Sequence, residues 1–266
     1  MIRFAGPQDT AAVRRLWEVC FPDEGGFNDY FFAHHFDPSV TLLSCEGDAL
    51  CAMVQMLPYR LETDGRKAEI TYIYGACTDP AYRRQGHMAR LLEHSFALDR
   101  EAGRAASALI PAEKWLFDFY RPFGYQPFFH VARRELVRQG SGEAPRRLTA
   151  ADVPQLMALY EAQTAACRVA RDAAYWRGQL AMFDALGRGA YGWFTGESLT
   201  ACAFCWADSA QEALGLTEAQ GQGLLHALGR ETLAVAMCGR EHTLGCIKWH
   251  EEGPHAPFGY MNLMFN

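Results

Sequence analysis

No uninterrupted apolar run of about 18 residues occurs in the chain, so no segment reads as a membrane-spanning helix. A basic start leading into a short apolar stretch and a small-residue cleavage site is also missing, which argues against a secretory leader. Positive charge is scarce: 25 Lys and Arg face 31 Asp and Glu, a formal net charge of −6 at pH 7. A broadly basic nucleic-acid-binding surface is therefore not expected. A framework of paired cysteines is absent too. The nine cysteines are odd in number, follow no repeated spacing and fall mostly in apolar runs such as LTACAFCW, as buried thiols in a reducing compartment do. These absences predict a cytoplasmic protein with neither membrane nor nucleic acid as partner.

What is present suffices for packed cores. Half of the 266 residues are hydrophobic and 21% are charged, so burial can offset the entropy of ordering the chain, and the length allows two domains of ordinary size.

In IRFAGPQDTAAVRRLWEVCF a short extended piece meets a Pro-Gln-Asp helix entry. Val13, Leu16, Trp17 and Cys20 then recur at helical spacing. The stretch VTLLSCEGDALCAMVQMLPYRL holds two β-rich segments broken by EGD, a hairpin signal. AEITYIYGACT reads as a strand that stops at Thr78, Asp79 and Pro80. A helix follows from Met88 to Ala102, its apolar stripe made by Met88, Leu91, Leu92, Ser95, Phe96 and Leu98, and Gly103 closes it. AASALIPA is a strand, EKWLFDFY a short helix and FGYQPFFHVARRELV the closing strands. The first half thus reads β, α, α, β, β, β, α, β, α, β.

RQGSGEAP, rich in Gly, Ser and Pro, separates two stretches that begin alike. Asp9 and Asp152 each stand four residues before an apolar position, Val13 and Leu156, with Leu16 and Leu159 three further on. The second half continues with a hairpin in GAYGWFTGESLTACAFCWAD, a strand in EALGLT, a helix in AQGQGLLHALGR and a strand in TLAVAMC. This collinear self-similarity predicts two copies of one α/β fold: a domain at 1–138, a linker at 139–145 and a second domain at 146–266.

The stretch CTDPAYRRQGHMARLL places basic and amide side chains at the entry to a helix. Helix N-termini carry unpaired N–H groups and a partial positive charge, so phosphate is stabilised there by donors and dipole together. Gly86 permits close approach of the backbone, and Arg83 and Arg84 add formal charge.

The same residues resemble the acyl-CoA-binding motif of the GNAT superfamily of N-acetyltransferases, Q/R-x-x-G-x-G/A. Arg83, Arg84, Gln85, Gly86, His87 and Met88 fill its six positions, Met88 standing where a small residue is usual, and Ala89 follows. Upstream, ACTDP looks like the splayed end of the family's fourth strand. Downstream, FYRPFGYQPFF resembles its F-Y-x-x-x-G-[FY] segment, with Tyr120, Gly124 and Tyr125 matching. The resemblance implies a GNAT fold, a central mixed β-sheet flanked by helices, with acetyl-CoA as cosubstrate and an amine as acceptor. By that resemblance the backbone of Ala76, Cys77 and Thr78 pairs with the pantetheine arm, residues 83–89 seat the pyrophosphate, and Tyr120 is the general acid for the departing thiolate.

No general base is assigned. Where some relatives carry a glutamate in mid-strand this sequence reads Tyr72, Ile73, Tyr74, with Glu69 earlier on the strand and Glu113 before the short helix. Asp23, Glu24 and Asp29, with Phe27, Tyr30, Phe31 and Phe32, occupy the region that shapes the acceptor pocket in the superfamily. Each of them singly is expected to be loop or core, as are His34 and His35. No metal site is expected: Cys202 and Cys205 sit in a strand at a spacing that faces them apart, and Cys246, His250 and His255 form a weaker set still. A ping-pong route through Cys77 stays in view beside direct attack.

In the second half, Glu218 and Ala219 replace the arginines before Gly221, and a carboxylate there would repel a pyrophosphate. The second domain is therefore expected to be a degenerate GNAT-like copy. The two-domain plan resembles bacterial acetyltransferases related to the Eis group, without room for that group's sterol-carrier-like domain. The expected activity is acetyl transfer to a primary amine of a small molecule or peptide. The alternative is an acyl-CoA-binding regulatory protein without turnover.

Overall fold

Arg3 grips the carboxylate of Asp9 with both terminal nitrogens, at 2.7 and 2.8 Å, and the same carboxylate accepts the Gly6 amide at 2.7 Å. Six residues apart in the same way, Arg146 holds Asp152 at 3.0 and 2.6 Å, and Asp152 accepts the Thr149 amide at 2.8 Å. The two aspartates that repeat in the sequence thus cap two equivalent helix entries.

A computed structural model describes residues 1–23, 25–63, 65–251 and 256–264. The elements run β1 (Ile2–Phe4), α1 (Thr10–Cys20), α2 (Phe27–His34), β2 (Thr41–Glu46), β3 (Ala49–Thr63), β4 (Arg66–Thr78), α3 (His87–Glu101), β5 (Ala106–Leu109), α4 (Leu116–Tyr120) and β6 (Gln126–Val137). This matches the order read from the first half of the sequence. Then come β7 (Arg146–Arg147), α5 (Val153–Gln163), β8 (Cys167–Val169), α6 (Ala173–Ala185), β9 (Gly189–Thr195), β10 (Ser198–Trp206), β11 (Ser209–Leu214), α7 (Glu218–Leu228), β12 (Thr232–Cys238) and β13 (His242–Trp249). No helix among the described residues is long and apolar enough to cross a membrane.

The chain divides into two units. Met1–Leu61, Gly65–Pro127 and Gly245–His255 form the first, and Glu62–Asp64, Phe128–Leu244 and Ala256–Asn266 the second. In the first, the strand order is β1-β2-β3-β4-β5-β13, with β4 and β5 parallel across the α3 crossover and β13 antiparallel to β5. Leu42 and Leu43, like Ala52, Met53 and Val54, point alternately to opposite faces, and both faces are covered. Val13, Leu16, Trp17 and Phe31 of α1 and α2 pack on Leu43 and Met53, while Leu91, Leu92 and Phe96 of α3 pack on Leu42, Ala52 and Val54. Burial on two sides is why β2 and β3 read as continuous apolar runs.

The second unit repeats the scheme with the strand order β6-β12-β11-β10-β9-β7, and β11 and β12 are parallel across α7. Leu224 and Leu225 of α7 pack on Ala201, Ala203 and Cys205. The other face of β10 carries Phe204, which meets Trp176 and Phe183 of α6.

Each sheet takes its last strand from the other half of the sequence: β13 completes the first and β6 the second, pairing antiparallel with β12. The units accordingly do not follow the halves on either side of 139–145. That segment is packed within the second unit, where Gln222 Oε1 accepts the amides of Gln139 and Gly140 at 2.6 and 3.2 Å and the Glu143 amide donates to the Ala219 carbonyl at 2.9 Å. Within the first unit, β13 is anchored by a buried cluster. Asp99 of α3, fully buried, accepts from Thr71 Oγ1 at 2.5 Å, Arg104 Nη1 at 3.1 Å and His250 Nε2 at 3.0 Å. Three donors offset the cost of burying that carboxylate.

Candidate active site

β4 and β5 pair only from Ile70↔Ala106 to Tyr72↔Ala108, although β4 runs on to Thr78. Past Tyr72 the edge of β4 toward β5 is therefore open, and its backbone is available to an extended ligand. Gly75 lies in this stretch with φ +57, a left-handed kink in the strand, and a Cβ on it would overlap the Trp17 indole. Around it Ala76 packs toward α3 and Cys77 toward α1.

The turn after β4 is built by its own residues. Asp79 Oδ1 accepts the Ala81 amide at 2.8 Å and the Asp79 carbonyl accepts the Tyr82 amide at 2.9 Å. Beyond Tyr82 the backbone supply of acceptors ends. No amide from Arg83 to Ala89 donates to any described residue. Arg84 at φ +62 and Gly86 at φ +79 are both left-handed, the geometry that turns successive amides into an anion-binding nest at the start of α3. A left-handed arginine costs about 1–2 kcal/mol, a strain of the kind concentrated at ligand clamps.

The side chains of this turn divide by role. Arg83 Nε donates to the Thr78 carbonyl at 3.3 Å, Gln85 Nε2 to the Ala81 carbonyl at 3.1 Å, and Arg90 Nη1 to the Gln85 carbonyl at 3.0 Å. The exposed guanidinium of Arg84 engages no described residue. His87 turns its ring inward, with Nδ1 3.0 Å from Ser44 Oγ and 3.1 Å from Arg90 Nη2, so at the turn it offers only its amide. Met88 packs on the core beside α3.

Tyr120 and Tyr125 meet edge to face at 5.6 Å, and their hydroxyls differ. Tyr125 is tied to Ser107 Oγ at 2.6 Å, whereas the Tyr120 hydroxyl has no hydrogen-bond partner among the described residues. Burial pushes the Tyr120 phenol up to about 12, with smaller contributions from Cys246 and Cys77. A protonated, unengaged phenol can serve as a proton donor.

Other candidates are placed elsewhere. Glu69 is exposed and pairs with Arg60 at 3.2 Å, and Glu113 is exposed. Asp23 caps α2, accepting the Gly25 and Asn28 amides at 2.9 Å each, which holds its carboxyl below the usual range. Asp29 pairs with Arg14. Asp23 and Asp29 line a cleft of about 510 Å³ together with Arg14, Glu18 and Asn28. Phe31 is core, stacked on Trp17 at 4.9 Å, and Glu24 and His255 lie outside the described residues.

Among the described residues, Glu46, Cys51 and His87 bring ligand atoms within 4.8 Å of one another. The Arg90 guanidinium, which can only donate, faces His87 Nδ1 and so favours the tautomer with its proton on Nε2, the nitrogen a metal would need.

Three residues were not legible as site residues. Gln55 on β3 is fully buried with neither amide atom hydrogen-bonded, and its Nε2 lies 3.1 Å from the position of a Cβ on Gly75. Its signal is the lone polar residue in LCAMVQML. Cys246, from β13, stands near Tyr120 only because the fold exchanges strands. Cys20, at the end of α1, lies beside the end of β4, its Sγ 3.6 Å from the Thr78 carbonyl oxygen.

The acetyltransferase (GNAT) domain family profile matches residues 1–128, which contain the open strand edge, the nest and Tyr120. This protein carries a GNAT acetyltransferase domain. No curated protein matches its sequence. The GNAT fold extends over nearly all of the chain. A probable N-acyltransferase from Enterococcus faecalis V583 is similar with a TM-score of 0.71 at 14% identity, covering 94% of this chain and 73% of its own. A GCN5-related N-acetyltransferase from Kribbella flavida gives 0.69 at 19%, covering 94% and 72%. Eis1 from Mycobacterium abscessus gives 0.66 at 16%, covering 94% and 74%. At these identities the likeness is one of fold.

The second unit's counterpart of the nest differs. Thr217 Oγ1 accepts the Gln220 amide at 3.3 Å and Gln220 Oε1 accepts the Thr217 amide at 3.0 Å, so α7 is capped from within, and Glu218 adds negative charge to its first turn.

Proposed function

We propose that the protein transfers an acetyl group from acetyl-CoA to a primary amine of a small molecule or peptide by direct attack. The observation that carries this reading is the row of unpaired amides from Arg83 to Ala89, curled by left-handed Arg84 and Gly86 at the start of α3. Pyrophosphate accepts from these amides while Arg83 and Arg84 supply charge. The pantetheine arm runs along the open edge of β4 at Ala76, Cys77 and Thr78. Amides there polarise the thioester carbonyl, and the amine, held beside the carbonyl carbon, attacks it. The carbon–sulfur bond breaks as the carbon–nitrogen bond forms, and Tyr120 gives its proton to the CoA thiolate.

Direct attack fits Cys77 as well, since the neighbouring Cys20 and burial push its thiol up and so disfavour the thiolate that a covalent acetyl intermediate would need. The self-capped α7 supports a second unit that no longer binds CoA. The test is release of CoA thiol from acetyl-CoA with a panel of primary amines. Amine-dependent release with the matching acetylated product supports the reading. Acetyl-CoA binding without release from any amine leaves the regulatory alternative in its place.

A further inference from the structure

β2 and β3 pair Ser44 with Ala52 and then Cys45 with Leu50, so Cys51 is an extra residue on β3 with no partner across the ladder. A bulge of this kind re-aims a side chain. Ser44 and Glu46 alternate with Cys45, which packs toward α1 and α2, and they therefore face α3, as Ala52 does. The bulge brings the Cys51 thiol round to the same face. Ligand atoms of Glu46, Cys51 and His87 lie there within 4.8 Å of one another.

Two observations point from this cluster to an ion. The His87 side chain is 1% exposed, and its Nε2 has no hydrogen-bond partner among the described residues. Glu46 Oε1 stands 3.4 Å from that nitrogen, long for a hydrogen bond. Two ligands at about 2.0–2.1 Å from one tetrahedral ion are held about 3.3–3.4 Å apart, so the spacing suits a shared metal. Cys51 is fully buried, whereas the Glu46 side chain is 56% exposed, and the cluster opens to water on that side.

The donor set selects the ion. A thiolate, an imidazole and a carboxylate span soft to hard ligands, a mixture that suits borderline zinc, and the two anionic ligands balance a divalent charge.

We propose that Glu46, Cys51 and His87 bind a zinc ion through the carboxylate, the thiolate and Nε2, with water as the fourth ligand. The proton that Arg90 favours on Nε2 in the metal-free chain moves to Nδ1, where Ser44 Oγ, 3.0 Å away, accepts it. The Arg90 guanidinium turns off the ring and keeps its bond to the Gln85 carbonyl at 3.0 Å. Cys51 gives its proton to water as the zinc–sulfur bond forms. The ion braces the neighbouring turn from both ends, because the Cys51 carbonyl accepts the Asp79 amide at 2.9 Å and His87 is the first residue of α3. This coordination does not depend on the acetyl-transfer reading.

The full chain, kept reduced by a phosphine and stripped of metal by a chelator, is titrated with cobalt(II) and then zinc(II), with bound metal counted and Tm followed. The expected result is one ion per chain, the visible bands of tetrahedral cobalt with a near-ultraviolet sulfur-to-cobalt band, displacement by zinc and a Tm that zinc raises. Cys51→Ser should abolish the sulfur band, whereas Cys238→Ser, at a half-buried thiol outside the cluster, should keep it. Glu46→Gln changes an exposed side chain, so the fold survives, and it should lose the rise in Tm with zinc. Ser44→Ala, which removes the acceptor for Nδ1–H, should weaken zinc binding by about tenfold or more. A chain that takes up neither cobalt nor zinc overturns the proposal. So does a sulfur band that persists in Cys51→Ser, or a zinc effect on Tm undiminished in Glu46→Gln.

Discussion

The indole of Trp17 fills the space that a side chain at Gly75 would need, and Gly75 is left-handed at φ +57. One residue on α1 thereby fixes the kink in β4 at the start of the open strand edge. Gly75→Ala is expected to lose about 1–3 kcal/mol from overpacking, added to about 1–2 kcal/mol for the left-handed backbone. Gly65 provides the control, since at φ +75 it has open space around it and Gly65→Ala should show the backbone cost alone. Urea unfolding of both variants separates the two costs, and equal losses would contradict the steric account.

Tyr120 and Tyr125 should separate by function. Tyr120→Phe removes a free phenol and is expected to lower kcat by about 100-fold through loss of general-acid assistance, with KM for acetyl-CoA unchanged. Tyr125→Phe breaks the bond to Ser107 and should cost about 1 kcal/mol of stability with kcat nearly retained. With the Tyr120 phenol pushed up to about 12, the acid stays protonated through the neutral and mildly alkaline range. A pH–rate profile should show no fall due to Tyr120 below about pH 11. A descending limb near pH 9 that vanishes in Tyr120→Phe would contradict the assignment.

Much of this was legible in the sequence because it is local. The order of elements in the first half follows from apolar spacing and turn residues, and the nest from a run whose backbone makes its own geometry. Tyr120 came from the resemblance, and the structure adds why it differs from Tyr125. What was not legible depends on pairing between distant segments. Nothing within CIKWH tells that Cys246 lies beside Leu109 on β5 or that His250 reaches Asp99, since an antiparallel partner leaves no mark on local periodicity. Likewise 139–145 has linker composition yet is held by Gln222, a contact made by α7 about 80 residues on.

The Arg3–Asp9 pair gives a pH signature. Hydrogen bonds from Arg3 and then from the Gly6 amide lower the Asp9 carboxyl to about 2. A carboxyl depressed by folding contributes stability above its unfolded pKa near 4 and loses it as pH falls through the folded value. Asp9→Asn should therefore cost about 1–2 kcal/mol at pH 7, a difference that shrinks as the pH drops from about 4 toward 2. Parallel denaturation curves at pH 7 and at low pH measure it. A difference that grows on acidification would contradict the sign.

The central claim, that residues 83–89 seat the phosphates of acetyl-CoA, is tested most directly by thermal unfolding with and without acetyl-CoA in the wild type and in Arg84→Glu. The substitution reverses a charge whose side chain engages no described residue, so the fold should survive it. A ligand at about 100 times its Kd stabilises the folded state by about 2.7 kcal/mol. The expected result is a clear rise in the Tm of the wild type and little or none in Arg84→Glu, with matching Tm values when no ligand is added. Equal stabilisation of both proteins, or of neither at saturating acetyl-CoA, would contradict the account.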